Sequence, residues 1–70
     1  MMPTARTKAI ARRLKDLRKV RGLTQLQLAK RAGVSFGYLA RLETCRHDPQ
    51  VGTLEKLAKA LKVTVAELVE

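Results

Sequence analysis

The chain has 70 residues, of which 46% are hydrophobic, and it carries a formal net charge of +9 at pH 7. These values are typical of one small folded domain and argue against a disordered chain. No apolar run approaches the roughly 20 residues of a membrane helix, the first residues lack the apolar segment of a signal peptide, and the single cysteine cannot form an internal disulfide, so we expect a cytoplasmic protein without membrane contact.

The first predicted helix covers about residues 7–20. Ile10, Leu14 and Leu17 recur at intervals of four and three residues, which places them on one face of a helix. Gly22 follows, and we expect it to end this helix because glycine accepts a left-handed backbone conformation.

The second and third predicted helices are short and lie close together in the sequence. Thr24 and Gln27 form a capping box that starts the second helix, and Gly33 ends it. Ser35 is expected to cap a third helix that continues to about Thr44. The residues expected to face the core are Leu28, Ala29, Ala32, Leu39 and Leu42.

Two further helices complete the predicted domain. After a loop over residues 45–50, a fourth helix is expected over about residues 51–61. Thr64 and Glu67 form a second capping box, which starts a short fifth helix containing Leu68. The core side of the fourth helix is expected to hold Leu54, Leu57, Ala58 and Leu61.

The charge is distributed unevenly along the chain. Residues 1–35 hold ten basic residues and one acidic residue, for a net charge of +9, whereas residues 36–70 hold five of each. A polyanionic partner is therefore expected, and nucleic acid is the commonest one.

Residues 24–42 have the pattern of a helix-turn-helix. The small side chain of Ala29 lies where two helices would cross, and Gly33 permits the positive φ of the turn between them. Leu39 and Leu42 would anchor the third helix and leave its other face exposed. In a basic domain, this pattern favours binding to duplex DNA.

Three stretches together give a more specific resemblance. GLTQLQLAKRAGVSFGYLARLE, HDPQVGTLEKLAKALKV and VAELV resemble the lambda-repressor-like, Cro/C1-type helix-turn-helix domains of the xenobiotic response element family. The resemblance covers about residues 9–69, with residues 1–8 left as a basic arm or as the start of the first helix. It implies a compact, all-α, five-helix domain with the helix-turn-helix at helices 2 and 3. It further implies a bacterial or phage repressor that binds operator DNA in the nucleoid, usually as a homodimer.

The resemblance, together with the position of the basic residues, indicates which residues contact double-stranded DNA. Arg41 can bond guanine O6 and N7 together, and Phe36 can meet a thymine methyl group, although it could instead pack against a loop or a dimer partner. Tyr38 either contacts the DNA backbone or is partly buried. The residues expected to read bases are Phe36, Gly37, Tyr38 and Arg41. Those expected to contact phosphates are Gln25, Ser35, Lys30, Arg31, Arg46 and Arg6.

Four positions have structural roles in the resemblance. Gln25 is expected to brace the start of the third helix besides contacting phosphate, and Arg18 is expected to form a partly buried ion pair with Glu43. Cys45 stands where the family usually has glycine. If Cys45 adopts positive φ, the strain costs on the order of 1 kcal/mol, and otherwise the loop differs from that of the family.

Two other functions fit the sequence. The chain could be an antitoxin-type module that binds a toxin or other protein as well as its operator, or a charge-driven binder of nucleic acid without sequence preference. Cys45 and His47 are too few to bind zinc, no catalytic constellation is present, and we expect neither cofactor nor enzyme activity. A dimer is expected to use exposed Val51, Val65 and Val69.

Overall fold

The computed structural model describes residues 4–69 of the chain. Regular secondary structure in this range consists of five α-helices: α1 (Ala5–Val20), α2 (Gln25–Ala32), α3 (Phe36–Glu43), α4 (Val51–Leu61) and α5 (Val65–Val69). The predicted all-α, five-helix fold is confirmed.

The first helix begins two residues earlier than the sequence pattern predicted. Thr4 is its N-cap, and the Thr4 hydroxyl accepts the backbone N–H of Thr7 at 3.1 Å. The side chain of Thr7 is buried, and its hydroxyl lies 3.4 Å from a carboxylate oxygen of Asp48. Arg6 therefore lies within α1 and not in a flexible arm.

The starts of α2 and α3 are fixed by side-chain caps. The Thr24 hydroxyl accepts the N–H of Gln27 at 3.1 Å, and the Gln27 side chain accepts the N–H of Thr24 at 2.9 Å. The Ser35 hydroxyl accepts the N–H of Tyr38 at 3.1 Å. These bonds satisfy backbone groups that have no partner inside a helix, so both helices begin at defined residues.

Four of the helices end in the same turn. One residue adopts positive φ, and the next residue donates its N–H to the carbonyl five positions before it, at 2.9 to 3.0 Å. This arrangement is the Schellman motif. The residues with positive φ, at 59 to 71°, are Gly22, Gly33, Cys45 and Lys62.

A single hydrophobic core joins the helices. α1 packs against α3 and α5, α2 packs against α3 and α4, and α4 packs against α5. Each helix contributes a fully buried leucine to this core, namely Leu14, Leu28, Leu39, Leu57 and Leu68. Within residues 4–69, none of the helices has the length and apolar character needed to cross a membrane.

Candidate nucleic-acid interface

The third helix has one buried face and one exposed face. Leu39 and Leu42 are buried in the core, whereas Phe36 is 50% exposed and Gly37 and Arg41 are exposed. A helix held in this way presents a free face of the size that enters the major groove of B-DNA.

Tyr38 differs from the other predicted base readers. Its side chain is partly buried and packs against the hydrophobic core. The alternative of partial burial therefore applies to Tyr38, and only part of this side chain lies on the exposed face of α3.

Arg41 is held by a residue outside its own helix. Its Nε donates a hydrogen bond to Nε2 of His47 at 2.9 Å, and the His47 ring lies 5.3 Å from the Tyr38 ring at a 42° tilt. A Cβ atom added at Gly37 would lie 3.5 Å from Nη1 of Arg41, so the guanidinium also lies beside this glycine. These contacts give Arg41 a defined orientation on the surface.

Glu43 joins the three helices around the turn. Nε of Arg18 donates to Oε2 of Glu43 at 2.7 Å, and Nη2 of Arg18 donates to Oε1 at 3.0 Å. The side chains of this pair are 11% and 2% exposed, respectively. Nη1 of Arg18 donates to the Leu23 carbonyl at 2.8 Å, so the arginine also secures the turn between α1 and α2.

Gln25 completes this cluster in a way that differs from the prediction. Its Nε2 donates to Oε1 of Glu43 at 3.2 Å, and Glu43 is the last residue of α3. Gln25 therefore braces the end of α3 through this bond, whereas the brace was predicted at the start of that helix. The amide has a second N–H, which suits an acceptor such as a phosphate oxygen.

The other residues predicted to contact phosphate lie at the end of α2, at the start of α3 and in the loop after α3. Ser35 uses a lone pair for capping and keeps a hydroxyl proton that can be donated to phosphate. Lys30 and Arg31 are exposed in the last turn of α2, next to the turn that leads to α3. Arg46 is exposed directly after Cys45, whose φ of 63° is the left-handed conformation that a glycine would adopt there.

Arg6 differs from the other predicted phosphate contacts because it is already paired with Asp48. Its Nη1 lies 2.8 Å from Oδ1 of Asp48, and both side chains are about half exposed. This ion pair holds the start of α1 to the loop before α4. To contact a phosphate, Arg6 would have to release the Asp48 carboxylate or bind the phosphate and the carboxylate at the same time.

The sequence did not predict the contacts of His47 and Asp48. Both lie in the loop after α3, where no helical periodicity indicates a direction for a side chain. The left-handed turn at Cys45 folds this loop back, which brings His47 to Arg41 of the preceding helix.

The predicted dimer surface is only partly exposed. Val51 is 65% exposed at the start of α4, but Val65 and Val69 are partly buried and pack against the core. The prediction that all three valines are exposed was therefore wrong for the two on α5, because this short helix uses one side of each to close the core.

Comparison with known proteins agrees with this architecture. A family model described as helix-turn-helix matches residues 14–68. The immunity repressor protein of Bacillus phage phi105 is 45% identical over 60 residues, which cover 86% of this chain and 42% of the repressor. An uncharacterised HTH-type transcriptional regulator, y4dJ of Sinorhizobium fredii, is 49% identical over 53 residues, which cover 76% of this chain and 69% of that protein.

A solved structure shows the same fold. The crystal structure of SinR, a master regulator for biofilm formation, in complex with DNA matches with a TM-score of 0.83 and 35% sequence identity, over 87% of this chain and 98% of that chain. The chain spans less than half the length of the phage repressor. The resemblance seen in the sequence is confirmed, and the chain belongs to the Cro/C1-type helix-turn-helix family.

Proposed function

We propose that this chain is the sequence-specific, double-stranded DNA-binding part of a transcriptional regulator, most simply a repressor, which places α3 in the major groove. The observation that carries the proposal is the exposed face of α3, where Phe36, Gly37 and Arg41 point away from a core that holds Leu39 and Leu42. The names of its relatives support it, since one is a phage repressor and another was solved with DNA.

Base reading and backbone contact are divided between different residues in this proposal. Arg41 donates two hydrogen bonds to guanine, and Phe36 packs against a thymine methyl group. Contacts to phosphate from the ends of α2 and α3 set the register of the helix in the groove. The chain acts by occupying DNA, so it needs neither a catalytic group nor a cofactor.

Two copies are proposed to bind together on DNA. The exposed Val51 at the start of α4 is the apolar residue on which a second copy would pack, and the outer sides of Val65 and Val69 on α5 are the other apolar candidates. Two-fold symmetry then requires mirrored half-sites about one helical turn apart, roughly 34 Å from centre to centre. A monomer in analytical ultracentrifugation, both free and on DNA, would contradict this arrangement.

Selection of binding sites from a random duplex pool at near-physiological salt tests the proposal. Recovery of one motif, single or mirrored at a fixed spacing, is the expected result. Arg41→Ala should then lose a guanine preference within that motif, whereas Arg12→Ala, which removes an exposed arginine from α1, should keep it. If no motif is enriched and binding only fades as salt rises, the chain is a non-specific binder or a protein-interaction module.

A further inference from the structure

His47 contacts two predicted base readers, although it is not one of them. It accepts the Nε–H of Arg41 at 2.9 Å, and its ring packs beside Tyr38. We propose that neutral His47 is a positioning residue that orients the Arg41 guanidinium for base reading, so that sequence discrimination depends on the protonation of His47. This inference rests on the proposed function.

The direction of the hydrogen bond determines the state of the imidazole. A guanidinium has donors and no acceptor, so Nε2 of His47 has to be the acceptor and the ring proton is on Nδ1. Because His47 binds Nε of Arg41, the two terminal nitrogens are left to donate. Those nitrogens can together meet O6 and N7 of one guanine. Gly37 has no side chain to occupy the space beside Nη1.

Protonation reverses this contact. An imidazolium has no acceptor at Nε2 and places a positive charge next to the positive charge of Arg41. Tyr38 and Arg41 face the ring from α3, and Arg46 and Asp48 are its charged neighbours in the loop. Asp48 is paired with Arg6 of α1, so its carboxylate already has a cationic partner.

The pH dependence has a characteristic signature. An imidazolium cannot accept the Nε–H of Arg41, so the released Arg41 would lose its fixed geometry. Between pH 8 and pH 5, affinity for the selected site should fall by about tenfold. It should thereby approach the affinity for a duplex in which the guanine is replaced. Affinity for the altered duplex should not fall, since the protein gains positive charge.

Two substitutions separate positioning from charge. His47→Gln offers a side-chain oxygen as acceptor and does not titrate, so it should keep the discrimination at both pH values. His47→Ala should show the low discrimination at both. Since His47 is exposed, both variants should melt at the temperature of the parent protein.

NMR of the free protein tests the contact without DNA. The Nε–H resonance of Arg41 should shift with the same midpoint as the His47 ring carbons, and the shift should be absent in His47→Ala. If Arg41→Ala abolishes the guanine preference while His47→Ala changes neither discrimination nor its pH profile, positioning by His47 is refuted and the proposed function stands. If no motif is selected at all, the proposed function fails and this inference fails with it.

Discussion

At the scale of single residues, the buried ion pair of Arg18 and Glu43 is expected to matter most for stability. Glu43 is held by Arg18 and Gln25 with both carboxylate oxygens bonded, and its side chain is 2% exposed. A charge in this position tolerates burial only while its partners remain. The exposed pair of Arg6 and Asp48 has no such constraint, because water can replace either partner.

Arg18→Ala should therefore destabilise the fold strongly. We expect a loss of roughly 3 kcal/mol, or a fall in Tm of more than about 10 °C. Thermal melting followed by circular dichroism measures this, and Arg6→Ala is the matched control, with an expected loss of less than about 1 kcal/mol. Equal melting of the two variants would show that the buried pair is not needed for stability.

Cys45 shows the opposite situation, a residue that strains its own backbone. Its φ of 63° is disfavoured for any side chain but not for glycine. Cys45→Gly should therefore stabilise the protein by about 1 kcal/mol in urea denaturation. Cys45→Ala keeps a Cβ atom and serves as the control, so a similar gain in both variants would attribute the effect to loss of the thiol.

At the scale of helices, most of the local signals in the sequence were accurate, and in the second predicted capping box the Thr64 hydroxyl accepts the N–H of Glu67 at 3.2 Å. The α4 boundaries and the α2 and α3 caps matched because capping residues and apolar spacing act within a few positions. The predicted start of α1 was two residues late, since Thr4 and Thr7 are both residues that can cap a helix. The burial of Thr7 against Asp48 depends on a residue 41 positions away in the chain.

The contacts of the candidate site that the sequence did not predict are contacts between different segments of the chain. The Arg18 and Glu43 positions were available from the resemblance, and the structure places the two side chains together. The bond from Gln25 to Glu43 and the bond from Arg41 to His47 depend on how helices and a loop meet in space. Neither periodicity nor capping rules contain that information.

The capping box of α2 can be tested on its own. Thr24→Ala removes the acceptor for the Gln27 N–H at the start of an eight-residue helix. We expect a loss of about 1 kcal/mol in the free energy of unfolding, measured in urea. Thr44→Ala is a suitable control because this hydroxyl only donates to carbonyls at the end of α3, and it should lose less. A smaller loss for Thr24→Ala than for the control would contradict the role of the box.

At the scale of the whole molecule, the positive charge predicts how salt weakens DNA binding. Each cation that neutralises a phosphate contributes about one unit to the slope of log K against log salt concentration. Arg46→Ala should therefore lower this slope by about 1, whereas Lys56→Ala, on the exposed side of α4, should leave it unchanged. Titrations of duplex DNA at several salt concentrations measure both slopes, and equal slopes for the two variants would place Arg46 away from phosphate.

The residues that hold α3 in place differ from the residues on its exposed face. Leu39, Leu42 and Glu43 are buried and hold the helix from its inner side, whereas Phe36 is half exposed and Gly37 is exposed. Residues on the displayed face can consequently be exchanged in an unchanged scaffold. Under the proposed function, substitutions on this face would change DNA preference at little cost in folding, and a library randomised on this face could be screened for new recognition sequences.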